Sequence, residues 1–146
     1  MFTETWLLPC ILDSELFDSN VYTVFRCDRS RLNSRKNRGG GVLVAVIPCF
    51  KSELVIVPNS DHLEIVFVRV HVHSLIFYIS CLYIAPDLPT SVLDDYSVAF
   101  DRFLSIASQS VNARIIVAGD FNLSDVCWVA ESDSATFLPT NVSRAK

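Results

Sequence analysis

A chain of 146 residues with 51% apolar and 19% charged residues has the balance of one packed globular domain and excludes a disordered tail. Its net charge of -4 excludes a protein that coats nucleic acid uniformly. Glu64, Arg69, His71 and His73 interrupt the most apolar stretch, Leu63 to Ala85, so no membrane span is expected there.

At the N-terminus Glu4 follows almost at once and Pro9 cuts the next apolar run, which reads against a secretory leader. A cytoplasmic or nuclear protein is expected, with Asn122-Leu123-Ser124 and Asn141-Val142-Ser143 unglycosylated. The five cysteines are scattered, odd in number and free of any C-x-x-C pair, as expected of buried reduced thiols. Between Arg26 and Arg38 stand Arg26, Arg29, Arg31, Arg35, Lys36 and Arg38 against the single Asp28, a run of +5 on a remainder of -9. Such a patch either seats a polyanion or is a solvated loop.

From Gly41 the pattern becomes strand-like. Val42 to Ile47 is a buried strand closed by Pro48, and Ser52 to Val57 gives a second, stopped by Pro58 to Asp61. In a third, from Leu63 to Val72, Val66, Val68, Val70 and Val72 line one face and Ile65, Phe67, Arg69, His71 and His73 the other. Leu75 to Ile84 makes a fourth, and the short breaks argue an antiparallel or mixed sheet. After Pro89 the period changes. Val92, Tyr96, Phe100, Phe103 and Ala107 recur at helical spacing, with Ser91 as the expected N-cap and the exit at Gln109 to Asn112. Arg114 to Ala118 is a short apolar strand broken by Gly119, and loop or poorly supported structure is expected beyond Trp128.

Polar residues at strand ends are the first candidates for chemistry, because the open end of a sheet is a crevice with rigid walls. Gly119-Asp120-Phe121-Asn122 directly follows an apolar strand, and Gly119 permits a tight turn. Asp120 can accept a proton from water or hold a hard cation, and Asn122 can hold the nucleophile or a phosphate oxygen. Taken alone, the same pattern is ordinary turn chemistry. His71-x-His73 lacks a third ligand for zinc, and Arg38-Gly39-Gly40-Gly41 lacks the Lys-Ser/Thr of a phosphate loop and reads as a flexible lead into the Val42 strand. Trp6 and Trp128 read as packing residues.

Three short elements together resemble the endonuclease/exonuclease/phosphatase superfamily: Thr3-Glu4-Thr5-Trp6-Leu7, Tyr83-Ile84-Ala85-Pro86 and Gly119-Asp120-Phe121-Asn122, in the family's order. Asp13 to Leu16, Val24 to Arg29, Gly39 to Leu43 and Asp125 to Trp128 resemble the endonuclease domain of non-LTR retrotransposons in particular. The resemblance implies an α/β fold, a two-sheet sandwich covered by helices, here a single partial domain over 1–146 that lacks the family's first strand and C-terminal part. It implies a catalytic set of Glu4, Tyr83, Asp120 and Asn122, in which Glu4 holds Mg²⁺ (or Mn²⁺), Asp120 and Asn122 handle the attacking water, and Tyr83 bonds a phosphate oxygen. No small-molecule cofactor is implied. Arg29, Arg31, Arg35, Lys36 and Arg38 are the nucleic-acid-binding candidates, with DNA as the partner. The implied activity is Mg²⁺-dependent phosphodiester hydrolysis. The alternatives are an inactive remnant that at most binds nucleic acid or partners, and a lipid or sugar phosphatase of the same fold. The family's terminal Ser-Asp-His has no counterpart, since His62, His71 and His73 lie too early, so the chain alone is expected to be impaired.

Overall fold

A computed structural model describes residues 1–34, 36, 38–122, 126–130 and 137–140. The elements run β1 (Phe2–Thr3), α1 (Asp13–Leu16), β2 (Thr23–Cys27), β3 (Val42–Val46), β4 (Ser52–Leu54), β5 (Ile65–Val72), β6 (Leu75–Tyr83), α2 (Thr90–Ser108), β7 (Ala113–Asp120), β8 (Cys127–Ala130) and β9 (Phe137–Thr140). They form an antiparallel sheet β1-β3-β2, a mixed sheet β4-β5-β6-β7 and a separate β8-β9 pair.

The second strand of the larger sheet, β5, sets the layering. Alternation along β5 sends Val66, Val68 and Val70 toward β3, where they bury Val42, Val44 and Val46 together with Cys81 and Tyr83. Ile65 and Phe67 point the other way, into a second cluster with Tyr78, Leu82 and the α2 residues Tyr96, Ala99, Phe103 and Ala107. The α2 residues recur at intervals of three and four, which places them on one helical face. The result is a two-sheet α/β sandwich with α2 on the outer face of the larger sheet. The valine face of β5 is buried at Val66, Val68 and Val70 by the smaller sheet.

The β6-α2-β7 segment is a crossover between parallel strands, as a parallel pair requires. It brings Tyr83 level with Asp120. At Gly119 a Cβ would lie 2.0 Å from the Leu82 carbonyl oxygen, so this glycine allows two strands to approach closely and is not a turn residue.

Several expectations are corrected. Helix α2 starts at Thr90, and Ser91 makes no capping bond. Pro89 (φ -59°) already accepts Val92 N at 3.0 Å, closing the first turn one residue earlier. The region beyond Trp128 is not all loop, since β8 and β9 pair there; residues 131–136 and 141–146 lie outside the described set. Cys10 and Cys49 are exposed, whereas Cys81 is buried and Cys27 half-buried with its thiol pushed up by burial.

Phe103 is fully buried, its ring 4.5 Å from Phe67 and 6.0 Å from Tyr78 between centroids. Phe103→Ala is expected to cost about 3–5 kcal/mol in urea denaturation, since it leaves a cavity between helix and sheet. A loss under about 1 kcal/mol would contradict this packing.

Candidate functional site

One end of the sandwich collects the polar residues that start or end its strands. Thr3 and Cys27 both pair with Val42, so Glu4 after β1, Arg29 after β2 and Gly39 to Gly41 before β3 meet there. In the larger sheet Ile65 pairs with Leu82, and Tyr83 pairs with Asp120. Glu64 before β5, Tyr83 at the end of β6 and Asp120 at the end of β7 therefore sit side by side.

Beneath this end lies an ion pair. Arg29 and Glu64 are 8% and 4% exposed, with Arg29 Nε donating to Glu64 Oε1 at 2.7 Å and Nη2 2.7 Å from the same oxygen. Glu64 Oε2 accepts Gly41 N at 2.6 Å, and Arg29 Nη1 donates to the Arg38 carbonyl at 2.8 Å. The Arg29 guanidinium carbon stands 5.4 Å from the centroid of the Tyr83 ring. Gly40 (φ +66°) makes the arrangement possible: a Cβ there would lie 2.1 Å from Glu64 Oε2 and 2.3 Å from Arg29 Nη2. The triple glycine is thus a close backbone approach to a buried ion pair, a correction to its reading as a flexible lead.

Tyr96 ties α2 to the same point. Its hydroxyl accepts Glu64 N at 3.1 Å and donates to the Tyr83 carbonyl at 2.9 Å, while Tyr83 N donates to the Glu64 carbonyl at 2.9 Å. Burial pushes the Tyr83 phenol above its ordinary range, the Glu4 carboxylate raises it further and Arg29 opposes. A protonated hydroxyl is therefore held there at neutral pH, able to donate.

Glu4 and Trp6 have φ of 49° and 56°, a left-handed conformation that costs ordinary residues about 1–2 kcal/mol each. The bonds Thr5 N to Gly41 O (3.3 Å) and Trp6 N to Gly40 O (3.0 Å) hold them there. At β7 Asp120 Oδ1 accepts Asn122 N at 3.0 Å, and Asn122 Nδ2 donates to the Ile84 carbonyl at 2.9 Å. Among the described residues that geometry leaves the Asn122 amide oxygen and the second Asp120 oxygen available.

Glu4 and Tyr83 thus face each other, Asp120 is the register partner of Tyr83, and Asn122 anchors to the residue after Tyr83. The basic run does not behave as one patch. Arg29 is not an exposed phosphate contact, because its guanidinium is committed to Glu64. Lys36 pairs with Asp87 at 3.0 Å on the surface, Arg31 and Arg38 are exposed, and Arg35 lies outside the described residues. Glu64 and Tyr96 were not expected at the site; the signal for Glu64 was a lone carboxylate opening an apolar run, which needs a buried cation.

Of the three histidines, His71 and His73 lie at the far end of β5, and His62, two residues before Glu64, is engaged by a helix carboxylate. His62 lies 2.9 Å from Asp95, and His71, 3.6 Å from Glu53, sits near the opposite end of β5 from Glu64. Among the described residues no three His, Cys, Asp or Glu side chains cluster to hold a metal. A zinc cage does not fit this donor set. Hydrated Mg²⁺ does, since it needs only one or two carboxylates and completes its shell with water and phosphate oxygens, and the exposed Glu4 carboxylate has no cationic side chain within 4 Å among the described residues.

Two outcomes test this construction. Glu64→Ala strands a buried guanidinium and is expected to cost about 3–5 kcal/mol in urea denaturation, whereas Arg29→Met with Glu64→Leu costs clearly less than either single change. Single changes costing no more than a surface substitution would show that the pair is not buried as described. The second outcome concerns pH. Tyr83 and Tyr96 are both pushed up by burial, so the folded state favours their protonated forms; the stability they contribute is complete below pH ~10 and is lost as pH rises through the folded values. Ultraviolet titration should show two late phenols ionising together with unfolding, and one of them missing in Tyr83→Phe.

No protein-family model matches the chain, and no curated protein matches it in sequence. Among solved structures it is similar to the endonuclease domain of TRAS1, a telomere-specific non-LTR retrotransposon, at 18% identity and a TM-score of 0.47 over 69% of this chain and 41% of that one. It is also similar to truncated Caenorhabditis elegans TDP2 at 13% identity and a TM-score of 0.49 over 86% and 53%. D. rerio TDP2 complexed with a single-strand DNA product gives 18% and 0.47 over 87% and 53%. The chain spans about half or less of the length of each of these structures.

Proposed function

We propose that the strand-end cluster is the metal- and water-handling part of a phosphodiesterase site acting on DNA, of the endonuclease kind. The observation that carries this reading is the meeting of Glu4, Tyr83, Asp120 and Asn122 at one end of two sheets, above a buried ion pair. Glu4 would hold Mg²⁺ or Mn²⁺, which when bound offsets charge on the phosphate. Asp120 takes a proton from the attacking water, and the Asn122 amide oxygen orients that water. Tyr83, protonated at neutral pH, donates to a phosphate oxygen as negative charge develops. His71 and His73 stand at the opposite end of β5, and His62, two residues before Glu64, is engaged by Asp95 on α2 and not by Tyr83, Asp120 or Asn122; without a histidine engaged here to protonate the leaving oxygen, groups acting as a unit fail together. The 146-residue chain alone is therefore expected to show no Mg²⁺-dependent nicking of supercoiled plasmid above background. Nicking that needs Mg²⁺ and vanishes in Asp120→Ala would show that these four groups suffice.

The reading itself is tested by cation binding, measured through Mn²⁺ paramagnetic relaxation. Glu4→Gln is expected to weaken Mn²⁺ binding at least about tenfold, ~1.4 kcal/mol. Equal binding by the unsubstituted chain, Glu4→Gln and Asp120→Ala would overturn it.

Arg31 and Arg38 favour a polymeric phosphodiester over a lipid or sugar phosphate, because cations outside the cluster can meet only a substrate that extends beyond one phosphate. Arg31→Ala with Arg38→Ala should weaken DNA binding uniformly across sequences and flatten the dependence of log affinity on log salt by about 1–2. An unchanged slope would return both arginines to the solvated surface and favour the small-substrate reading. Among the described residues no helix is long and apolar enough to cross a membrane.

A further inference from the structure

Beside Glu4 is a cleft that the proposed chemistry does not use. Trp6, Leu7, Leu8, Arg29, Arg38 and Gly39 line about 160 Å³ of open space. Trp6 was expected to pack in the core, yet it is 62% exposed. One side of its indole rests on the glycine ribbon, since a Cβ at Gly39 would lie 3.8 Å from Trp6 Cε2. Its backbone stays in the left-handed region (φ 56°), pinned by the bond to the Gly40 carbonyl. Core packing explains neither the exposure nor the strain, and such strain persists where the surrounding structure over-determines it.

The chemistry of the lining narrows the occupant. A cavity of about 150 Å³ accepts one benzene-sized ring, so this cleft seats a single planar ring and excludes the sugar and phosphate attached to it. The exposed Trp6 indole offers a stacking surface, and Leu7 and Leu8 supply apolar walls. The Arg38 side chain is exposed at the rim, its backbone carbonyl pinned by Arg29, and no carboxylate lies within 4 Å of it among the described residues. An aromatic platform beside a cation, two residues from a phosphate-handling carboxylate, fits a base whose own phosphate continues toward Glu4 and Tyr83.

We infer that the Trp6–Arg38 cleft is a subsite for one unstacked base of a single nucleic-acid strand, stacked on Trp6 with an adjacent phosphate at Arg38. This rests on the phosphodiesterase reading for its direction of approach, but it is measured separately. A duplex hides its bases in the stack, so the subsite selects single-stranded or frayed DNA over paired DNA without reading sequence.

The test uses the full chain with Trp128→Phe, which leaves Trp6 as the only tryptophan. Its probes are an oligothymidylate of about 12 nucleotides, an abasic oligomer of equal length and a blunt duplex. Oligothymidylate should quench Trp6 fluorescence and bind about tenfold more tightly than the abasic oligomer, the equivalent of ~1.4 kcal/mol, within the range for one stacked base. Trp6→Ala should remove that preference and leave abasic binding unchanged, and Trp6→Phe should retain most of it. Arg38→Ala should weaken both oligomers alike. Glu4→Gln should keep the preference while losing Mn²⁺, so failure of the cation reading and failure of the base subsite are told apart. Equal affinity for the thymidylate and abasic oligomers, or a preference that survives Trp6→Ala, overturns the inference. If Trp6→Ala does not fold, absence of Trp6 quenching by oligothymidylate in the otherwise unsubstituted chain overturns it as well.

Discussion

A carboxylate and a guanidinium removed from water organise the working end of this molecule. Taken alone, the Arg29–Glu64 pair adds little net stability, because desolvating two ions offsets much of their attraction. Its value is directional. Both Glu64 oxygens are engaged, one by Arg29 and one by Gly41 N, and Arg29 also reaches the Arg38 carbonyl and the Tyr83 ring. The Glu64 peptide meanwhile bonds Tyr96 on the helix and Tyr83 on the neighbouring strand. One residue thus links helix, both sheets and the glycine ribbon, and the ribbon in turn holds Glu4 and Trp6 in their strained backbone. An apolar pair of equal volume would fill the space without fixing any of these directions.

Alternation along β5 was legible because each face is apolar for a different reason, one meeting the smaller sheet and the other meeting α2. The helical stripe from Tyr96 to Ala107 was legible for the same physical cause, since burial imposes a period. The hairpin β8-β9 was not: each strand has four residues, too few to establish a period, and Pro139 lies in the second. The site divides along the same line. Asp120 and Asn122 stand out because they end an apolar strand. Arg29 was indistinguishable from Arg31 by local charge, since what buries a guanidinium is a carboxylate 35 residues away.

Strain and exposure at the N-terminal segment have one source. Thr5 and Trp6 bond backward onto Gly41 and Gly40, and their chain leaves β1 in a direction that right-handed geometry alone would not give. Turning there points Glu4 toward Tyr83 and leaves the Trp6 indole uncovered. The two features are therefore one conformational state, and its cost of about 1–2 kcal/mol per strained residue is small against the layers that enforce it.

Charge placement limits how such a site can approach a polyanion. The +5 carried between Arg26 and Arg38 is mostly spent internally: Arg26 lies 3.1 Å from Asp13 and 3.5 Å from Asp28, Arg29 is buried on Glu64, and Lys36 meets Asp87. The Lys36–Asp87 pair is exposed on both sides, so a phosphate can exchange for Asp87 at little cost. Arg31 and Arg38 remain outward among the described residues, on a body of net charge -4. Two cations that each displace about one counterion give weak, salt-sensitive attraction, far below that of a protein with a continuous basic face. Affinity for a strand must then come from elsewhere in the contact. An exposed indole meets that need, because stacking on it is insensitive to salt and adds to the few phosphate contacts without requiring more positive charge.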